Sequence, residues 1–162
     1  MRRTPMPRRS RRIVAGRNRT EWNERLDDLF RAIVMTKHGA ARMPYSSGRG
    51  WFWYGRCLRC DCARPLYVSH IEPKGSNGHL RWTEGNAFPF CYACHIQWWH
   101  KHPREAEEFT VTMLGREGRE ALALRARAGK SLRGAVDFSL VELMLKQELR
   151  RIAPRGIEGL VF

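Results

Sequence analysis

Residues 91–103 read CYACHIQWWHKHP, which is two cysteines, three histidines and two tryptophans in thirteen positions. Thiolate and imidazole are both metal ligands, so the stretch serves one metal, two or none. Upstream, Cys57-Leu-Arg-Cys60 repeats the two-residue gap of Cys91-Tyr-Ala-Cys94. Two Cys-x-x-Cys pairs can wrap one ion in tetrahedral geometry, and four thiolates suit structural Zn²⁺. Redox or simply buried cysteines would not explain the paired spacing. Cys62 is left over and reads as a free small hydrophobe. It could replace Cys60 only at the cost of the usual knuckle spacing. Metal binding here would act as a staple, because its binding free energy becomes folding free energy.

The 162-residue chain fits one domain with tails. A domain of that size benefits from such a staple. Thirty basic against sixteen acidic residues give a net charge of +14. That excess implies a polyanionic partner, usually nucleic acid and less often an anionic membrane. No apolar run approaches the ~18 residues a membrane span needs. The N-terminus has charge without an apolar segment, so no secretory signal is expected and a cytoplasmic location is. In that compartment paired cysteines indicate metal more than disulfide.

Residues 1–19 carry eight arginines and no acid. They are expected to form a disordered basic arm, suited to tracking phosphates. Thr20 is a candidate N-cap for a helix over 21–37, whose apolar face runs through Trp22, Leu26, Leu29 and Ile33. Residues 39–50 are rich in Gly, Ser and Pro and read as a loop. WFWYGR (51–56) reads as core or hairpin packing, with base stacking by its aromatics as the alternative. Pro103 opens a helix to about residue 114, Gly115 and Gly118 break it, and a second helix covers 118–128. Ser139–Glu142 forms a capping-box pattern, with Asp137 as the alternative cap, for a helix through about Ile152. Its complete apolar stripe is Val141, Leu145, Leu149 and Ile152, which covers the core or meets a partner helix.

A plain zinc ribbon separates its cysteine pairs by about 15–20 residues, whereas here thirty intervene. Within the insert, residues 65–73 alternate as a strand, with Leu66 and Val68 opposite Tyr67 and Ser69, and His70 ends the pattern. A turn-rich loop follows, then a short strand into Cys91. The stretch from Tyr92 reads as a short helix with Tyr92, Ile96 and Trp99 on its packing face.

The pattern C-x2-C, SHIEP, EGN, C-x2-C-H resembles the HNH nuclease family. That resemblance implies a ββα-metal core in which His70, Asn86 and His95 are the signature residues. It is similar in more detail to the phage NinG (Rap) recombination proteins. The shared features are the knuckles, sixteen residues from His70 to Asn86, the Leu80-Arg81-Trp82 segment before Asn86, and a cysteine five residues after it. The resemblance covers about Cys57 to Arg150 and implies a phage or prophage DNA endonuclease acting on recombination intermediates, branched DNA or duplex to be nicked.

Phosphodiester hydrolysis needs a base for water, and charge compensation at the phosphate and leaving oxygen. A histidine titrating near ~6.5 suits the base role, assigned to His70. His95, fixed by the adjoining knuckle, is the expected ligand of a catalytic Mg²⁺ or Mn²⁺. Asn86 is expected to hold the loop and orient His70. Many HNH enzymes carry an Asp ligand before the base histidine, where this chain has Ser69. Glu72 or His100 could take its place, or His95 could act alone with substrate phosphates and water. Imidazole ligation would widen the choice towards Mn²⁺, Ni²⁺ or Zn²⁺. On an ideal α-helix His100 sits about 140° from His95, and His102 lies about 10 Å along the axis. His102 is therefore expected to meet solvent or phosphate. Arg56, Arg59, Lys74, Arg81 and Lys101 are candidate DNA-backbone contacts, while Trp98 and Trp99 read as packing.

The expected fold is α+β: a basic arm (1–19), a helix and loop (20–50), a zinc-stapled nuclease core (51–102) and a helical region (103–162). DNA is the expected partner, no membrane is, and a homodimer through the last helix is a hypothesis because resolving a junction takes two sites. The alternative from another class is a non-catalytic zinc-finger DNA-binding protein or recombination mediator.

Overall fold

The computed structural model describes residues 18–129 and 136–160. The basic arm lies outside them except for its last two residues. It is an α+β fold: a four-stranded antiparallel sheet in the order β1-β2-β3-β4, with helices before and after it. The strands are β1 (Ala41–Pro44), β2 (Trp51–Arg56), β3 (Ala63–His70) and β4 (Ala87–Cys91). Helix α1 spans Arg19–Lys37, a π-helix spans Ala93–Trp99, α2 spans Pro103–Gly129 and α3 spans Phe138–Ile152.

Helix α1 opens at Arg19, and its cap lies two residues before the expected Thr20. Asn18 is the N-cap: its Oδ1 accepts from the amides of Thr20 and Glu21 at 2.9 and 3.0 Å, and Glu21 accepts from the Asn18 amide at 2.9 Å. This closes a capping box. The expected loop at 39–50 contains a strand, since β1 pairs with β2 through Arg42↔Trp53 and Met43↔Phe52. Its four residues have little intrinsic strand preference, so it is the pairing that makes them a strand. Gly55 permits the close approach behind it: a Cβ there would lie 3.0 Å from the Ala40 Cα. The hairpin reading of WFWYGR holds, with Trp53 buried.

The two faces of the sheet pack differently. Phe88 and Phe90 of β4 meet Trp98, Trp99 and Phe109, with ring centroids 5.3–6.1 Å apart. On the other face, Phe30 of α1 stacks on His70 at 5.8 Å. The Leu145–Leu149 face of α3 is buried against α1, so the stripe read as core or partner surface belongs to the core. Asp137 caps α3, its Oδ1 accepting from the Leu140 amide at 3.0 Å. Within α2, Gly115 (φ 73°) breaks the helix, whereas Gly118 stays helical.

The expected packing face of the helix after Cys91 is wrong. The segment winds as a π-helix, closing i→i+5 turns. Of the expected face only Trp99 packs, on Phe88 and Phe90, while Tyr92 and Ile96 are 59% and 38% exposed and Cys94 and Trp98 are buried instead.

Candidate metal centres and the histidine cleft

The first candidate centre lies where the ends of β2 and β4 meet. Cys57 follows β2, Cys60 sits in the turn after it, Cys91 ends β4 and Cys94 lies in the first π turn. Their four ligand atoms all lie within 4.8 Å of one another. Cys60 and Cys91 sulfurs are 3.9 Å apart. A tetrahedral ion about 2.3 Å from each sulfur would set S···S edges of about 3.8 Å, so the donors fit such an ion. Local backbone shapes the knuckle. The Asp61 amide donates to the Cys57 carbonyl at 2.9 Å, and Asp61 itself adopts φ 56°. The Cys91 amide donates to the Cys57 sulfur at 3.3 Å. Arg59 donates to the Cys94 sulfur at 3.7 Å while lying 3.9 Å above the Trp98 ring. Burial, with the neighbouring thiols, pushes the Cys94 thiol up to about 12. Burial acts the same way on Cys60, but hydrogen bonds from the Cys62 backbone and adjacent thiols outweigh it and bring Cys60 down to about 7. The four converging sulfurs place the cluster to hold a metal ion, and it is compatible with structural zinc. Cys62 lies outside this set; its carbonyl accepts from the Cys57 amide at 3.1 Å.

A cleft of about 1120 Å³ opens beside this corner and is lined by His70, His95 and His100 together with Asp27, Tyr67 and Lys74. His70 ends β3 with its Nε2 2.9 Å from the Arg81 carbonyl. A carbonyl only accepts, so Nε2 carries the hydrogen and the neutral ring keeps its lone pair on Nδ1. Burial is the main cause holding His70 below its ordinary pKa, against the upward pull of the Arg81 carbonyl. His95 is likewise lowered, first by burial and then by the charges of His100 and His70.

The Arg81 carbonyl is itself fixed by a residue that sequence reasoning missed. Asp27 of α1 accepts both arms of the Arg81 guanidinium at 2.8 and 2.7 Å, the Trp82 indole N–H at 2.8 Å and Lys74 at 3.3 Å. Burial would raise the Asp27 carboxyl, but the Arg81 and Trp82 hydrogen bonds hold it below its ordinary value. Asp27 adjoins the apolar stripe of α1, and its Arg81 partner lies 54 residues away. No local motif announces it.

Asn86 is fully buried. Its Oδ1 accepts from the Glu72 amide at 2.7 Å, and its Nδ2 donates to the Leu80 and Glu72 carbonyls at 2.9 and 3.2 Å. It pinches the ends of the 71–86 loop, as expected. Its amide binds Leu80 and Glu72 in place of His70, and orientation of His70 falls to the Arg81 carbonyl.

The proposed ligands separate. The Glu72 carboxylate pairs with Arg119 at 3.0 Å and accepts from Asn77 at 3.3 Å, and Glu72 is not among the cleft-lining residues. The long Arg119 side chain on α2 draws it away from the histidines. Ser69 is fully buried, and its Oγ has no hydrogen-bond partner among the described residues. His100, in contrast, comes close to His95, with ring centroids 5.1 Å apart. The 140° expectation assumed an α-helix. The π winding, ending at Trp99, brings the two rings together. Two imidazoles bound to one ion at about 2.0–2.1 Å would have centroids about 4.5–5.2 Å apart, a range that includes this spacing. His102 instead pairs with Glu105 at 3.2 Å, whose second oxygen accepts from the Trp98 indole at 2.6 Å.

The candidate DNA contacts divide too. Arg81 is held on Asp27, while Arg59 is exposed with its guanidinium over Trp98 and beside Cys94. Arg56 is exposed beside Asp61, at 2.8 Å. Lys74 lines the cleft, and Lys101 is exposed just beyond the π-helix. No helix among the described residues is long and apolar enough to cross a membrane. Comparisons with protein-family models, with curated proteins and with solved structures gave no match to this chain.

Proposed function

We propose that the protein is a metal-dependent endonuclease of the HNH type that hydrolyses phosphodiester bonds in DNA. One observation carries the reading: a neutral, carbonyl-anchored His70 lines the same cleft as the paired imidazoles of His95 and His100. In this reading His70 Nδ1 takes a proton from water as its oxygen bonds to phosphorus and one ester P–O bond breaks. His95 and His100 hold a divalent cation, which would supply charge compensation at the phosphate and the leaving oxygen. Asn86 and Asp27 hold the loop that fixes His70. The net charge of +14 supports a polyanionic substrate. The motif resemblance supports branched DNA or recombination intermediates, and a phage or prophage origin.

With Ser69 in place of an acidic ligand, a cation would rest on imidazoles, which favours Mn²⁺ or a softer ion over Mg²⁺. The same substitution favours a second reading, a non-catalytic zinc-finger DNA-binding protein. Cleavage separates the two. Zinc-loaded protein is incubated with supercoiled plasmid and a four-way junction in Mg²⁺, Mn²⁺ or Ni²⁺. Nicked, linear or resolved product supports the nuclease; binding without product in every metal leaves the second reading.

A further inference from the structure

All four tyrosines of the chain are exposed: Tyr45, Tyr54, Tyr67 and Tyr92 are 38–59% accessible. Tyrosine has a large apolar ring that normally packs, so four exposed together call for an explanation. Strand register gathers two of them with two apolar neighbours on one sheet face. Met43 pairs with Phe52 and Tyr54 with Pro65, and side chains two apart share a face, so Met43, Phe52, Tyr54 and Tyr67 stand together. Tyr45 touches Phe52 with centroids 5.1 Å apart, and Tyr92 touches Tyr67 at 6.3 Å. Across β4 the same face is covered by the π-helix and the start of α2, where Phe88 and Phe90 are buried. Over β1–β3 the rings of Tyr45, Tyr54 and Tyr67 are exposed, and Phe52 between them is half-buried.

This aromatic row reaches the histidine cleft from the His95 side, whereas His70 stands on the opposite, α1-facing side of the sheet. Tyr45, Phe52 and Tyr67 line the same cleft as His70, His95 and His100, and Tyr67 lies 6.5 Å from His95. Arg49 at the hairpin tip and Arg56 on β2 are exposed beside the row, and Arg42 and Lys74 line the cleft. Aromatic rings next to cations, on a chain of net charge +14, match stacked bases with their phosphates better than an apolar protein surface.

We propose that this open sheet face is a stacking platform for unpaired DNA nucleotides, which it feeds to the histidine cleft. Tyr45, Phe52 and Tyr67 take successive bases, and the flanking arginines take the backbone. The substrate class is thereby single-stranded segments or branch points with unpaired bases, in place of continuous duplex. The inference rests on the nuclease reading for its purpose, but the binding it describes can be tested alone.

The test is fluorescence anisotropy with a labelled 20-mer of thymidylate, a duplex of the same length and a 20-mer of uridylate. Zinc-loaded protein is used with no magnesium or manganese added. The Tyr45→Ala/Tyr67→Ala variant is expected to bind the single strand about tenfold or more weakly. Tyr45→Phe/Tyr67→Phe keeps the rings and is expected to bind like wild type, and duplex binding is expected to change less than about twofold in both. Zinc content and thermal melting report whether the double variant folds. If it does not, Tyr45→Ala in the hairpin tip carries the same comparison at a smaller effect. Single-strand binding unchanged by loss of the rings, or duplex binding falling in parallel, overturns the platform. Tighter binding of uridylate, lost in the same variants, overturns its assignment to DNA. Ring-dependent binding here, together with no product in the metal-supplemented cleavage assay, counts against the nuclease reading and leaves the platform standing.

Discussion

The two ends of the π-helix make a useful comparison. At its start, Cys94 closes a knot of four sulfurs all within 4.8 Å of one another, three of its four cysteines buried. At its far end, His100 meets His95 in an open cleft of about 1120 Å³. The first arrangement leaves no room for a substrate and fits an ion that holds chain segments together. The second is open and leaves room for one. A π winding serves both ends, turning Cys94 into the core while bringing residues five apart to the same side.

If the two ends differ as described, perturbing the cysteine end should be the more damaging to the fold. Cys91→Ser, or stripping metal with a strong chelator, is expected to abolish the cooperative thermal transition, because structural metal binding is worth about 10–16 kcal/mol in small zinc domains. Retention of a wild-type melting curve without metal would remove the staple. At the other end, His100→Ala is expected to leave melting unchanged and raise the Mn²⁺ concentration for half-maximal cleavage by about 10–100-fold. An unchanged metal requirement would take His100 out of the site.

A third change probes the support of the cleft. Asp27→Asn weakens its charged hydrogen bonds to Arg81, Trp82 and Lys74 and is expected to cost about 2 kcal/mol in urea unfolding. The folded pKa of Asp27 lies below its unfolded value. The carboxylate therefore stabilises the fold fully above about pH 4, and that stability is lost as pH falls through the folded pKa. The difference between wild type and variant should shrink in that window and no higher. The smallest effect concerns His70. Burial holds its pKa below the ordinary value, so the base stays neutral and cleavage persists as pH falls through about 6.5, dropping only below it. An acid limb centred above about 6.5 would contradict this placement of His70.

The cysteine end was legible in the chain because its signal is local: two short pairs whose spacing already encodes the knuckle turns. The alternation at Leu66 to Ser69 and the stripe at Val141 to Ile152 were legible for the same reason, a period matched to one element. What could not be read depends on distant partners. Strand β1 exists because β2 lies beside it, and Asp27 matters because Arg81 folds onto it from 54 residues away. Tyr92 and Ile96 could not be placed from the segment alone, because Cys94, held at the sulfur cluster, decides which side of the helix faces the sheet. A 3.6-residue period does not describe a segment whose turns close over five. The same period set His100 apart from His95. Glu72 was misread because its carboxylate had two destinations, and Arg119 on α2 supplies the one it takes.

The central claim is that the histidine cleft cuts DNA with His70 as base. The most direct measurement compares zinc-loaded wild type and His70→Ala on a four-way junction and a plasmid in Mn²⁺, with cleavage and binding read from the same samples. The account predicts equal binding and a fall in cleavage of about 10²–10⁴-fold for the variant. Equal cleavage by both proteins would contradict it.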